Sequence, residues 1–159
     1  MFLGGDWVIK VRLNMERVQM EVHDVPCWRF FVGRRREHLL DQDKVGKWMF
    51  FFRTYEGQQF AERMCREAVE SGVVIEAKRS DSLEGVACFY TNVDDNESHK
   101  KIISFFLKND MIKRTKTGRL CDISFKLDSQ TYAGSYGSSF HAQLKLSHIM
   151  DLYTLQWKI

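Results

Sequence analysis

The chain reads as an α+β protein, a curved and mostly antiparallel sheet of about six to eight strands with two amphipathic helices on one face. Three observations predict it. Two segments carry apolar residues at helical spacing, several others alternate or run apolar at strand length, and their order departs from strict βαβ alternation. That order argues against a doubly wound parallel sheet and leaves the concave face of the sheet open for a ligand or partner.

The elements follow in chain order. Trp7 to Leu13 alternates, with Trp7, Ile9, Val11 and Leu13 on one face, and Arg17 to Val22 alternates after a short connection, so the two read as a hairpin. Cys27 to Val32, bounded by Pro26 and Gly33, is a third strand. Gly46 to Arg53 holds Trp48, Met49 and three consecutive phenylalanines, which reads as a central strand covered on both faces. Gln58 to Ser71 is the clearest helix. Phe60, Met64, Cys65, Ala68 and Val69 form its stripe, Glu62, Arg63, Arg66, Glu67 and Glu70 its polar side, and Gly72 its C-terminal cap. Val73 to Ala77 and Val86 to Thr91 read as strands around a turn at 80–85. The second helix starts at Asp94 or Asp95, with Asp94 and Glu97 as a capping pair and Ile102, Ile103, Phe106 and Leu107 facing the core. His99 falls on its polar face. Cys121 to Leu127 and Phe140 to Leu146 complete the strands, and 148–157 reads as a short helix or tail.

With 159 residues, 44% hydrophobic and 13% aromatic, the chain can bury a substantial core and reads as one domain over 1–159. A net charge of +3 does not by itself imply nucleic acid. The four cysteines, Cys27, Cys65, Cys88 and Cys121, form no CxxC pair or zinc spacing and sit in apolar runs. They read as buried reduced thiols, which suits a cytoplasmic location. No signal peptide or membrane-spanning run is visible, and no metal or cofactor is expected. The sequence leaves the oligomeric state open.

Polar chemistry concentrates in three places. The loop from Asp128 to Ser139, rich in Gly, Ser and Tyr, offers backbone N–H groups to an anion, with Lys126 before it and Tyr132, Gly134 and Tyr136 within it. Lys78 ends an apolar strand as an anion ligand or a base. Lys113, Arg114, Lys116 and Arg119 form an acid-free basic rim, and Arg34 to Arg36 a second cluster. The tryptophans Trp7, Trp28, Trp48 and Trp157 are stacking candidates or core. The absence of a Walker pattern argues against triphosphate hydrolysis.

Gly46-Lys47-Trp48-Met49-Phe50-Phe51, Glu76-Ala77-Lys78-Arg79-Ser80-Asp81, Cys88-Phe89-Tyr90, Ile123-Ser124-Phe125-Lys126-Leu127-Asp128 and Ala133-Gly134-Ser135-Tyr136-Gly137 carry a resemblance. In these segments 46–159 resembles small bacterial proteins with a phosphothreonine-lyase domain, and its element order is similar to the cap-binding translation-factor fold. Residues 1–45 are not covered. The resemblance implies β-elimination of phosphate with Lys78 as base, yet the position of the proton-donating histidine is Met49, and the later phosphate arginine is missing from Tyr132 to Gly137. Losing the acid alone costs on the order of two to four powers of ten in rate. The expectation is therefore a non-catalytic binder of a phosphorylated or polyanionic partner: a nucleotide, a nucleic acid or an acidic protein surface, with no membrane. Its ligand residues are Lys78, Tyr90, Lys126, Tyr132, Gly134 and Tyr136. A compact domain of this kind would suit a phage or mobile-element inhibitor of host defence. The alternative is a phosphoester-acting lyase with Lys78 as base.

Overall fold

Strand alternation and two capped helices dictate the architecture of a computed structural model that describes residues 17–34 and 40–159. The strand expected at Trp7 to Leu13 and the arginines at 35 and 36 lie outside the described residues. The seven described strands are β1 (Met20–Val25), β2 (Trp28–Gly33), β3 (Val45–Phe52), β4 (Glu76–Ser80), β5 (Gly85–Asn92), β6 (Ser124–Leu127) and β7 (Leu144–Lys145). They form one sheet in the order β1-β2-β4-β5-β3-β6-β7, and every neighbouring pair is antiparallel. The helices are α1 (Tyr55–Glu70), α2 (Asn96–Lys108) and two single turns, α3 (Asp128–Tyr132) and α4 (Leu146–Ile149).

Several boundaries differ from the sequence reading for local reasons. β1 and β2 are joined by Pro26 and Cys27, with Cys27 at φ 72. Proline followed by a positive φ is the type II turn pattern, so Cys27 is an exposed turn residue and not part of a buried strand. Cys65 and Cys88 are buried as expected, while Cys121 is only partly so. α1 begins at Thr54, whose Oγ1 accepts the Gly57 N–H at 3.0 Å. It ends on Gly72, at φ 77, in a Schellman exit: the Val73 N–H reaches the Ala68 carbonyl at 2.9 Å and the Gly72 N–H the Val69 carbonyl at 3.1 Å. The Val74 N–H also goes to Ala68, so this segment cannot open a strand; β4 starts at Glu76, and Lys78 moves from a strand end to mid-strand. Asp95, not Asp94, caps α2 by accepting from the Ser98 N–H and hydroxyl at 3.1 and 2.7 Å, while Asp94 accepts from Lys44 at 2.8 Å.

Both long helices cover the same face of the sheet, where Phe31, Trp48, Ala77, Ala87, Phe89 and Phe125 meet Ala61, Cys65, Ala68 and Val69 of α1 and Ile102, Ile103 and Phe106 of α2. Phe50, Phe60 and Met64, also expected in the core, are partly buried against it, as is Ile123. β3 is not covered on both faces: Phe51, pointing away from the helices, is 66% exposed. Among the described residues no helix is long and apolar enough to cross a membrane.

His99 lies in the core, fully buried, contrary to its expected place on the polar face of α2. Its Nδ1 accepts the Trp48 indole N–H at 3.0 Å, which leaves Nε2–H to donate to the Val93 carbonyl at 2.8 Å. That pairing requires the neutral ring, and burial holds its pKa below the ordinary histidine value. The unfolded chain takes this proton near pH 6.5 and the folded chain only at lower pH, so stability is full above about 6.5 and falls as pH drops below it, by at most about 1.4 kcal/mol per unit. Urea midpoints at pH 7.5 and 5.5 are expected to separate for the wild type and to draw together in His99→Gln, whose amide can accept and donate in the same places. An unchanged pH slope in the variant would contradict this.

Candidate functional site

Strand parity places the polar chemistry on the face away from the helices. In β3, Gly46, Trp48, Phe50 and Phe52 point to the core side, so Lys47, Met49 and Phe51 point the other way. Cross-strand register then aligns Lys47 with Lys126 of β6 on one side and Tyr90 of β5 on the other. A second row aligns Phe30, Lys78, Cys88 and Met49. Over these rows lies a cavity of about 600 Å³ whose lining includes Trp28, Lys47, Lys78, Lys126, Tyr136 and Phe140.

Its three lysines are held differently. Lys47 is buried, and its Nζ donates to Asp128 Oδ1 at 2.9 Å and to Thr131 Oγ1 at 3.0 Å, both on α3. Lys78 has its Nζ 3.8 Å from the centre of the Trp28 ring, and Lys126 has its Nζ 3.9 Å from that of Tyr136. Among the described residues neither has a carboxylate at salt-bridge distance. Ring quadrupoles replace part of the lost hydration and fix where the ammonium groups stand. Burial pushes both amines below the usual lysine range, and the charge of Lys47 adds to the effect in each. The floor between them is Met49, Cys88, Phe51 and Val86. Burial drives the Cys88 thiol up to about 11, so it stays neutral there.

The segment after β6 is not the open anion loop expected from its composition. Asp128 to Tyr132 is a helical turn, and the N–H groups of Ala133, Gly134, Ser135 and Tyr136 donate to Ser129, Thr131, Gln130 and Ser139 of the same segment. Those donors are consumed. What the segment gives the cavity is Thr131, Phe140 and the Tyr136 ring, set by a 3₁₀ turn at Gly137–Ser139 in which Gly137 has φ 55. Tyr132, 85% exposed, and Gly134 do not line it. Tyr90 is buried behind the lysines, its ring 5.8 Å from Lys47 Nζ and 6.0 Å from Lys78 Nζ. The residues Lys113, Arg114, Lys116 and Arg119 sit on a small hairpin closed by an Arg114–Leu120 bridge, and none lines the cavity.

Sequence reasoning passed over Lys47, Asp128, Thr131, Phe51 and Phe140 as site residues. A signal was present for Lys47: a lysine inside an apolar strand read as covered on both faces has to meet a polar cavity or a carboxylate. Met49, the position matched to the lyase histidine, does lie on the floor in the row of Lys78.

The fold and the cavity define an α+β protein with a lysine-bearing, aromatic-walled concavity. No protein-family model matches the chain, and no curated protein matches it. Among solved structures it is similar to Ascaris suum eIF4E-3 with the m2,2,7G cap, at TM-score 0.48 and 10% identity over 76% of this chain and 69% of that one. The same protein with the m7G cap gives TM-score 0.47 and 10% identity over 75% and 68%.

Proposed function

We propose that the chain is a binding domain for a small phosphorylated ligand of about nucleotide size, held in the concavity by Lys78 and Lys126. The observation that carries this reading is the pair of ammonium groups with no carboxylate at salt-bridge distance among the described residues, each seated on an aromatic face in the cavity of about 600 Å³. An anion supplies the missing charge, and the apolar floor takes an uncharged body. A cavity of that volume favours a small molecule over a nucleic acid or a protein surface. The lyase alternative is less favoured, because Asp122, the carboxylate in the described cavity lining, is engaged as an acceptor from the Ser147 N–H and hydroxyl at 2.8 and 2.7 Å, and Asp128, outside the lining, accepts from Lys47.

Calorimetric titration with adenosine 5′-monophosphate tests the reading. Hydrogen bonds to charged groups contribute roughly 1.5–3 kcal/mol each, so Lys78→Ala with Lys126→Ala is expected to weaken binding by a factor of about 10 or more. Raising salt should weaken the wild type as well. Binding needs protonated amines. With both held below the ordinary lysine pKa, affinity should fall as pH rises before about 10.4 is reached. A double variant that binds like the wild type, with an unchanged melting temperature, would refute the assignment.

A further inference from the structure

We propose that the ligand of this cavity carries two separate anionic groups, one for Lys78 and one for Lys126, borne on an uncharged body whose flat ring lies over Met49 and Phe51. The inference rests on the binding reading above and deepens it from one phosphate to two.

The sheet order carries the argument. Lys78 stands on β4 and Lys126 on β6, with β5 and β3 between them. Three strand spacings of about 4.8 Å put their backbones roughly 14 Å apart across the sheet. They are also offset along it, because Lys126 shares a row with Lys47 and Tyr90, while Lys78 is paired with Cys88, two residues from Tyr90. Their side chains are held by different walls. Trp28, at the start of β2, holds Lys78; Tyr136, beyond β6, holds Lys126. Concavity brings the amines nearer than their backbones, but a single phosphate shared by both would have to lift each from its ring.

Lys47 stands between them, and its charge lowers the pKa of each of the other two amines. Its own charge is answered by Asp128 at 2.9 Å. The central amine is therefore neutralised within the protein, and the outer two are left to the ligand. Between them the floor offers a thioether, a neutral thiol and the open face of Phe51, surfaces suited to a ring and poor for a charge. A nucleoside with phosphates at separated positions, or two nucleotides joined together, has this chemistry. A single terminal chain of phosphates does not.

Calorimetry with adenosine 5′-monophosphate, adenosine 5′-diphosphate and adenosine 3′,5′-bisphosphate separates the cases. The diphosphate controls for charge, since its two phosphates are contiguous. The bisphosphate is expected to bind at least tenfold more tightly than either of the others. Lys78→Ala and Lys126→Ala, each alone, should reduce it to the affinity of the monophosphate. Equal affinity for the diphosphate and the bisphosphate would overturn the two-anion arrangement and leave the binding reading standing. So would either single substitution abolishing the binding of all three. No binding of any of the three to the wild type would overturn both.

Discussion

Phe106→Ala is expected to lower the unfolding free energy by on the order of 3–5 kcal/mol, the usual cost of emptying a large aromatic site in a close-packed core. Phe106 is fully buried on α2, and its ring meets Phe89 of β5 edge to face at 5.1 Å between centroids. The substitution removes the transfer free energy of the ring and leaves a cavity between helix and sheet that neither rigid element can close. Phe89 also touches Phe105, so the loss falls on the contact that seats α2 on the sheet. Urea unfolding of Phe106→Ala and of the milder Phe106→Leu measures it. A near-neutral alanine variant would mean that α2 does not lie on the sheet through this stripe.

Glu62→Ala should cost on the order of 3 kcal/mol, because it strips the carboxylate from a cluster of arginines that includes a buried one. Arg79 of β4 points to the helix-covered face and is 7% exposed. Glu62 Oε1 accepts its Nε–H at 2.8 Å, Glu62 Oε2 accepts from Arg66 at 2.9 Å, and Arg29 stands at 3.4 Å. Among the described residues, removing the acid leaves the buried Arg79 guanidinium an exposed Asp81 at 3.7 Å as its carboxylate partner. The cost is that of an orphaned charge more than that of a lost attraction. The double variant Glu62→Leu with Arg79→Met, which removes both charges at that contact and keeps the volume, is therefore expected to be more stable than Glu62→Ala. If the double variant is the worse of the two in urea unfolding, the ion pair itself is the source of the stability.

The parts of this fold that were legible in the sequence are those with a local cause. Helix α1 announces itself by its stripe and by Gly72, and α2 by the run from Ile102 to Leu107. The antiparallel class follows from the element order. Strand β4 was misplaced because the apolar run from Val73 invited a strand where the Schellman exit of α1 needs those N–H groups. Turn α3 was invisible because five residues with nothing buried have no periodicity to read. Glu62 and His99 were assigned to the solvent because each sits at a polar position of its helix by type. Their burial depends on Arg79 and Trp48, which come from distant strands.

The site divides in the same way. Lys78 stood out because it follows an apolar strand, Lys126 because it precedes the segment rich in Gly, Ser and Tyr, and Tyr136 because it lies within that segment. Lys47 was hidden by the three phenylalanines that made β3 look covered on both faces, although Phe51 is open to the cavity. The expected N–H cradle failed because the same small residues that make a loop accommodating also let it satisfy its own donors. The pairing of Lys47 with Asp128 joins β3 to a segment eighty-one positions later and has no sequence signature. That pairing decides which amines are left for a ligand.

The most direct measurement of the central claim is a lysine-selective NMR titration, in which the side-chain ammonium resonances are followed as adenosine 3′,5′-bisphosphate is added. Lys78 and Lys126, fixed on their rings and with no carboxylate at salt-bridge distance among the described residues, should shift progressively and saturate together with the calorimetric binding curve, while Lys113 and Lys116, on a hairpin that does not line the cavity, stay in place. Saturating shifts at Lys113 and Lys116 with Lys78 and Lys126 unmoved would contradict the account and move the site out of the concavity.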